Sequence, residues 1–109
     1  MYNDYKYRQR VISMPQPNDL IFEWDEEKNA ANIKKHGIDF EDAILVFNDE
    51  HYIEFYDSVH SAEEDRYNVI GMVEDVLFVV YTERTQRIRI ISARLATAME
   101  RRMYFDRYS

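Results

Sequence analysis

The chain has 109 residues, contains no cysteine and carries a formal net charge of −7. The length fits one domain, and the 46% hydrophobic and 15% aromatic content predicts a folded globule rather than a disordered chain. The absence of thiols excludes disulfides and cysteine chemistry. The acidic balance argues against indiscriminate nucleic-acid binding, because phosphate contacts supply most of that affinity, but it leaves room for one local basic face.

Targeting and membrane signals are not recognisable. No apolar run approaches the roughly 18–20 residues that a membrane helix needs, and the N-terminus lacks the apolar region of a signal peptide. The three histidines (His36, His51 and His60) show no metal-ligand spacing. We therefore expect a cytoplasmic protein without membrane contact, bound metal or cofactor.

Residues 1–19 are predicted to form a flexible N-terminal extension, and residues 20–109 the folded domain. Pro15 and Pro17 cannot donate backbone hydrogen bonds, and chain termini are often loosely held. A short strand is predicted at residues 20–24. A helix follows, with Asp25 as a suitable N-cap and Gly37 as a suitable residue just past its end.

A second helix is predicted from Asp39 to about Asn48. Its apolar residues recur at helical spacing, which predicts a core-facing stripe made of Phe40, Ala43, Ile44 and Phe47. The pattern then changes to period two, and four strands are predicted at residues 51–56, 66–72, 76–81 and 87–93. Their short connections favour an antiparallel meander.

The last helix begins at Thr97, which forms a capping box with Glu100. Met99 and Met103 share one face of this helix and are expected to pack on the sheet. The order of strand, two helices, four strands and helix predicts an α+β fold, with the helices packed against the sheet.

Positive charge is concentrated at the C-terminal end. Residues 84–109 hold seven of the 14 Lys and Arg side chains and only two acids, so this segment carries about +5 while the preceding residues total −12. Such a local basic region predicts contact with an anionic ligand or partner.

Several separated motifs resemble those of the BrnT family of toxins, in the family's order and over about residues 20–104. The N-terminal motifs are Phe22–Glu26, Lys28–Asn32 and Lys35–Ala43. The C-terminal motifs are Tyr81–Arg84, Arg87–Arg94 and Glu100–Arg102.

The resemblance implies a RelE-like ribonuclease fold and the toxin of a type II toxin–antitoxin system. Such a toxin cleaves RNA without a metal ion and inhibits translation. A BrnA-type antitoxin would neutralise it, form a hetero-oligomer with it and supply the only link to DNA.

Metal-free RNA cleavage needs groups that move protons and cations that stabilise the charged phosphorane. Arg94 is the first candidate, because a guanidinium binds phosphate through two aligned hydrogen bonds; the alternative is a structural arginine paired with a carboxylate. Glu83 and Arg84 are candidates for base and phosphate ligand, or turn residues only. Glu100 is a candidate base, although its capping position already explains it, and Arg101 lies near it.

Arg87 and Arg89 alternate with isoleucines and are expected on one face of the last strand. Their like charges would repel unless an anion or an acidic partner lies between them, so they are either RNA ligands or a solvated face. Lys35 and Arg66 are weaker RNA-binding candidates from other elements. Tyr104 is predicted to stack on a base, with core packing as the alternative.

The sequence also allows two other functions. The first is a protein-binding module that has lost its chemistry, which the net charge favours, as does Met72 at a position where many relatives carry a basic residue. The second is nucleic-acid binding without catalysis.

Overall fold

The computed structural model describes residues 9–13 and 20–107, which form six strands and three α-helices. The strands are β1 (Gln9–Ser13), β2 (Ile21–Asp25), β3 (Ile53–Tyr56), β4 (Tyr67–Val73), β5 (Asp75–Arg84) and β6 (Arg87–Leu95). The α-helices are α1 (Glu26–His36), α2 (Phe40–Ala43) and α3 (Ala98–Asp106), and a 3-10 helix (Ile44–Asn48) follows α2. From residue 20 onward, the predicted order of elements is confirmed.

All six strands lie in one sheet, in the order β1-β2-β6-β5-β4-β3. The four strands β3 to β6 pair antiparallel, as the predicted meander requires. β2 joins the sheet parallel to β6, and β1 pairs antiparallel with β2. β1 lies within the predicted extension, so residues 9–13 of the extension pair with the sheet. The rest of the extension lies outside the described residues.

Helix α1 has the predicted caps. The Asp25 side chain accepts a hydrogen bond from the Glu27 amide at 2.8 Å, and Gly37 adopts a φ of 73°, which its missing Cβ permits. The buried side of α1 is polar rather than apolar. Asn32 donates to the Ala93 carbonyl at 2.8 Å and accepts from the Ala93 amide at 3.2 Å. Its side-chain amide thereby takes the place of a strand at this edge of β6.

The second predicted helix is only partly α-helical. Asp39 caps it as expected, accepting from the Glu41 amide at 2.9 Å, but α-geometry ends at Ala43 and a 3-10 helix continues the element. The predicted apolar stripe is buried in full. Val46 of this element approaches β4 at Gly71, where a Cβ would stand only 3.0 Å from the Val46 Cβ. The missing Cβ of Gly71 thus allows this close crossing of helix and strand, where a larger residue would press on Val46.

The helices cover the two faces of the sheet unequally. Helices α1 and α2 pack on one face over the main core, whose largest side chains are Phe22, Trp24, Phe40 and Tyr81. Helix α3 covers only one end of the other face, where Tyr104 packs against Ile70 and Val76. The rest of this second face has no helix over it, and we call it the open face.

Helix α3 begins with the predicted capping box between Thr97 and Glu100. The prediction that Met99 and Met103 pack on the sheet is wrong, because they are 72% and 44% exposed while Tyr104 is 2% exposed. The core contact is thus made by Tyr104, roughly 100° around the helix from Met103. None of the described helices is long and apolar enough to span a membrane.

A β-bulge in β6 decides which side chains reach the open face. Val80 pairs with Ser92 and Tyr81 pairs with Ile90, so Ile91 is an extra residue in β6. Arg89 and Arg94 are five residues apart and would point to opposite faces of a regular strand. The extra residue brings both to the open face, opposite Thr82 and Phe78 of β5 respectively.

Candidate functional site

The open face carries a cavity of about 420 Å³, which we call the open-face cavity. Its floor is formed by strand residues, and its rim by the loop that joins β3 to β4. The polar and charged side chains that line it are Asp57, His60, Arg66, Asn68, Ser92 and Arg94. Two of the predicted site residues, Arg66 and Arg94, therefore meet in one cavity.

Asp57 holds the β3–β4 loop in place. Its carboxylate accepts hydrogen bonds from the Val59 and His60 amides at 3.1 and 3.2 Å, and bonds the His60 ring at Nδ1 at 2.9 Å. Burial alone would raise the pKa of Asp57, but the hydrogen bonds from the His60 ring and from these amides together lower it. The charged carboxylate thus orients the imidazole through its Nδ1.

The loop also closes on its own backbone. The Asp57 amide donates to the Arg66 carbonyl at 2.8 Å. The Ser61 hydroxyl donates to the Asp57 carbonyl at 2.5 Å and accepts from the Arg66 amide at 2.9 Å. These bonds fix the two ends of the loop together, and so place His60 and Arg66 on the same side of the cavity.

Arg94 is held at the rim beside α3. Its guanidinium donates to both carboxylate oxygens of Glu100, at 2.7 and 3.0 Å, and lies over the Phe78 ring at 4.1 Å from the centroid. The hydrogen bonds to Glu100 raise the pKa of Arg94, against the effect of burial. The result is a cation of fixed orientation that remains one-third exposed to the cavity side.

Glu100 faces Arg94 rather than the centre of the cavity. Besides the two bonds from Arg94, it accepts from the Thr97 amide at 2.8 Å in the capping box. Burial would raise the pKa of Glu100, but the bonds from Arg94 and Thr97 lower it. This geometry favours a role in orienting Arg94 over the predicted role as a base.

A second, adjoining cavity of about 540 Å³ shares His60 and Arg66 with the first and adds Arg84. Arg84 pairs with Glu64 at 3.1 Å. The Arg66 guanidinium forms no hydrogen bond or ion pair with another residue of the described part of the chain. Of the cations at the two cavities, Arg66 is therefore the one most available to a ligand.

Glu83 and Arg84, the candidates for base and phosphate ligand, lie on opposite faces of the sheet. The two residues alternate along β5, so Arg84 points to the open face and Glu83 to the helix-covered face. There the charge of Glu83 contributes to the raised pKa values of Tyr67 and Tyr81, behind the larger effect of burial. The structure thus separates this proposed base from its proposed phosphate ligand.

Arg87 and Arg89 do lie on one face, and the anion between them comes from the chain itself. Glu23 of β2 accepts from Arg87 at 3.2 Å and from Arg89 at 3.1 Å. Glu23 and Arg89 are each only 7% exposed. This burial corrects the prediction that Arg89 contacts RNA, since its guanidinium is engaged inside the fold.

Two α3 candidates are also placed away from the cavity. Tyr104 is buried and donates to the Asp49 carboxylate, so it packs in the core, which was the alternative to the predicted stacking on a base. Arg101 pairs with Asp75 at 2.5 Å and lies near the Phe105 ring. It is not among the residues that line either cavity.

Lys35 lies on a separate, shallower depression that shares a wall with the open-face cavity. The depression is lined by Lys28, Lys35 and His36 of α1 and by Ile91 and Ser92 of β6. The same two β6 residues line the open-face cavity. A surface with basic side chains therefore runs from α1 across the β6 bulge to Arg94.

Sequence reasoning missed four polar residues of the cavity: Asp57, His60, Asn68 and Ser92. A signal for His60 was present, because an aspartate three residues before it in a polar loop is suited to bind its ring and amide. Asn68 and Ser92 carried no such signal in the sequence, since polar residues within strands are usually solvated. Within the described ranges, no group of three or more His, Asp or Glu side chains is placed so that it could hold a metal ion.

Comparisons with known proteins agree with this architecture. A family model described as "Ribonuclease toxin, BrnT, of type II toxin-antitoxin system" matches residues 24–100. The crystal structure of the Brucella abortus ribonuclease toxin BrnT is similar, with a TM-score of 0.55 and 28% sequence identity over 68% of this chain and 92% of that chain. No curated protein sequence gives a significant match. The matched span contains every residue named above that lines the open-face cavity.

Proposed function

Because this chain belongs to the BrnT family of ribonuclease toxins of type II toxin–antitoxin systems, we propose that it is a metal-independent endoribonuclease whose site is the open-face cavity. The observation that carries the proposal is the convergence of Arg66 and Arg94 on one cavity of the uncovered sheet face. Two guanidinium groups on a shared cavity suit an RNA phosphate, which each can bind through paired, charged hydrogen bonds.

The chemistry that fits these residues is attack of a ribose 2′-oxygen on the adjacent phosphorus. The P–O5′ bond breaks, and the products carry a 2′,3′-cyclic phosphate and a 5′-hydroxyl. Arg94 would stabilise the phosphorane, since Glu100 and Phe78 already hold its guanidinium in one orientation. Arg66 would bind the same or the neighbouring phosphate, and Arg84 would extend the contact into the adjoining cavity.

The RNA strand would cross the β6 bulge toward α1. Lys28 and Lys35 stand on that side, beyond Ile91 and Ser92. Because these lysines are compact charges on flexible stems, they would contribute affinity that depends on salt concentration rather than base specificity. The protein would thus bind RNA through a local basic surface in spite of its net charge of −7.

The test is RNA cleavage by the purified full-length chain with excess chelator present. Cleavage is expected to continue with chelator, and Arg94→Ala is expected to lower the rate by about 100-fold or more, as removal of a transition-state donor typically does. Arg102→Ala is the matched control, because it removes an exposed arginine of the same helix region without touching the cavity. Intact RNA with the wild-type chain at high concentration would contradict the proposal.

The partner we propose is a BrnA-type antitoxin, which would also supply the DNA-binding function. The toxin alone would inhibit translation, and the antitoxin would relieve this by covering the cavity. Expression of the chain alone is expected to arrest growth, and co-expression of an adjacent antitoxin gene to restore it. Growth arrest that persists in the presence of a tightly bound antitoxin would contradict this arrangement.

One observation favours a second function, that of a binding module without chemistry. The arginines Arg84, Arg87, Arg89, Arg94 and Arg101 all form ion pairs with carboxylates of the same chain. A module of this kind would bind its antitoxin tightly, cause no growth arrest and leave RNA intact, so the same two experiments decide between the functions.

A further inference from the structure

We propose that the Asp57–His60 pair supplies the general base of the cleavage reaction, with Asn68 binding the reacting nucleotide at the floor of the open-face cavity. This inference rests on the proposed ribonuclease function and goes beyond it by naming the group that takes the proton. The pair lies on the β3–β4 loop, outside the basic C-terminal region that dominates the sequence.

The position of His60 suits proton transfer. Its side chain is 65% exposed, and it lines both cavities together with Arg66. Asp57 bonds the ring at Nδ1, at 2.9 Å, so Nε2 remains for a ligand. A carboxylate at one ring nitrogen fixes the tautomer in which the other nitrogen accepts a proton. The pair therefore has the orientation that a base needs.

Asn68 provides a second and independent sign of a ligand. It is 6% exposed and lines the floor of the same cavity. Within the described part of the chain, its Oδ1 is the one buried side-chain atom that lacks a hydrogen-bond partner. Buried polar atoms are almost always paired in folded proteins, and an unpaired one costs roughly 1–3 kcal/mol. A ribose hydroxyl or a base amino group would supply the missing donor.

The reaction balances without a further reactant. Nε2 of His60 takes the proton of the 2′-hydroxyl as its oxygen bonds to phosphorus. The P–O5′ bond then breaks, and the departing 5′-oxygen takes a proton from water. The His60 imidazolium returns its proton to solvent. Arg94 and Arg66 neutralise the phosphate oxygens throughout.

Chemical rescue of a His60→Ala variant tests the proposal. The purified full-length variant should cleave an RNA oligonucleotide at least about 100-fold more slowly than wild type, the usual size of a general-base contribution. Added imidazole should restore the rate in proportion to its concentration. His51→Ala is the matched control, since His51 also lies beside a carboxylate, Glu50, but does not line either cavity. It should keep the wild-type rate and show no response to imidazole.

The remaining outcomes separate this inference from the function on which it rests. Full activity of His60→Ala, or lost activity that imidazole does not restore, would overturn the role of His60 and leave the ribonuclease function intact. A variant that melts far below the wild-type chain would show that the pair serves the fold, which also counts against the proposal. A wild-type chain that leaves RNA intact would overturn the ribonuclease function itself, and this inference with it.

Discussion

Two groups of arginines lie on the open-face side of β6, and their surroundings differ. Arg87 and Arg89 converge on Glu23 near the hairpin, and the Arg89–Glu23 pair is buried. Arg94 also has a carboxylate partner, but it stands at the rim of a cavity beside Arg66, whose guanidinium has no carboxylate partner among the described residues. The first group joins β2 to β6, and the second is available to a ligand. Positive charge in a strand thus indicates function only when the tertiary structure leaves it accessible.

Removal of the Glu23 carboxylate should produce the largest change in stability. Glu23→Gln would leave Arg89 buried without this counter-charge, which typically costs about 3–5 kcal/mol. Urea unfolding should therefore show a large loss of stability, while the activity of each folded molecule is retained. Glu64→Gln is the matched control, because it breaks an exposed pair with Arg84 that should contribute less than about 1 kcal/mol. Equal losses for the two variants would remove the distinction between buried and accessible arginines.

Glu100→Gln should affect activity more than stability. Glutamine can still serve in a capping box, but it cannot bind both guanidinium nitrogens of Arg94 as a carboxylate does. We expect a loss of about tenfold in cleavage rate, equivalent to about 1.4 kcal/mol of transition-state stabilisation. A loss of 100-fold or more would instead favour the role of Glu100 as a base.

Thr97→Ala gives the complementary control for Glu100. It removes the cap at a cost of about 1 kcal/mol but leaves the bond between Glu100 and Arg94 in place, so the cleavage rate should not change.

The pH dependence of folding stability provides a further check on the pair of Glu100 with Arg94. Since the pKa of Glu100 is lowered in the folded chain, its contribution to stability is present above the ordinary pKa of a glutamate and disappears as the pH falls through the lowered value. The acid loss of stability should be smaller in Glu100→Gln.

Asn68→Leu should have the smallest effect of these variants, and it should change stability and RNA affinity in opposite directions. Leucine has a similar shape and removes an unpaired buried oxygen, so stability should rise by about 1 kcal/mol while RNA affinity falls. Asn32→Leu is the matched control, because Asn32 is a buried asparagine whose side-chain amide bonds the backbone of both Ala93 and Ile38. That variant should be destabilised. Unchanged RNA affinity in Asn68→Leu would remove Asn68 from the binding site.

The order of elements was accessible from sequence because it depends on local signals. Asp25, Asp39 and Thr97 each precede a helix and bond its first amides, and the change from helical to alternating periodicity marks the strands correctly. No local sequence signal predicts that β2 pairs in parallel with β6, since this pairing joins residues more than sixty positions apart. The same holds for Glu23, whose role became evident only with its neighbours in place.

The site was predicted only in part, for the same reason. Arg94 and Arg66 were named from residue type, and the structure brings them together at one cavity. Arg89 and Tyr104 were expected to contact RNA, but both side chains are buried. Residue type indicates what chemistry a side chain can perform. Whether the side chain performs that chemistry depends on its exposure and its bonding partners, which are set by contacts between residues distant in sequence.

The sequence by itself determined the fold class, the helix caps and the family, because capping, periodicity and motif order are local properties of the chain. Only the tertiary structure decided which arginines stay accessible at a cavity. One extra residue at Ile91 turns Arg94 to the same face as Arg89, and Glu23 then occupies Arg87 and Arg89 while Arg94 is left at the cavity. A bulge depends on the pairing of two strands, and it cannot be read from either strand alone.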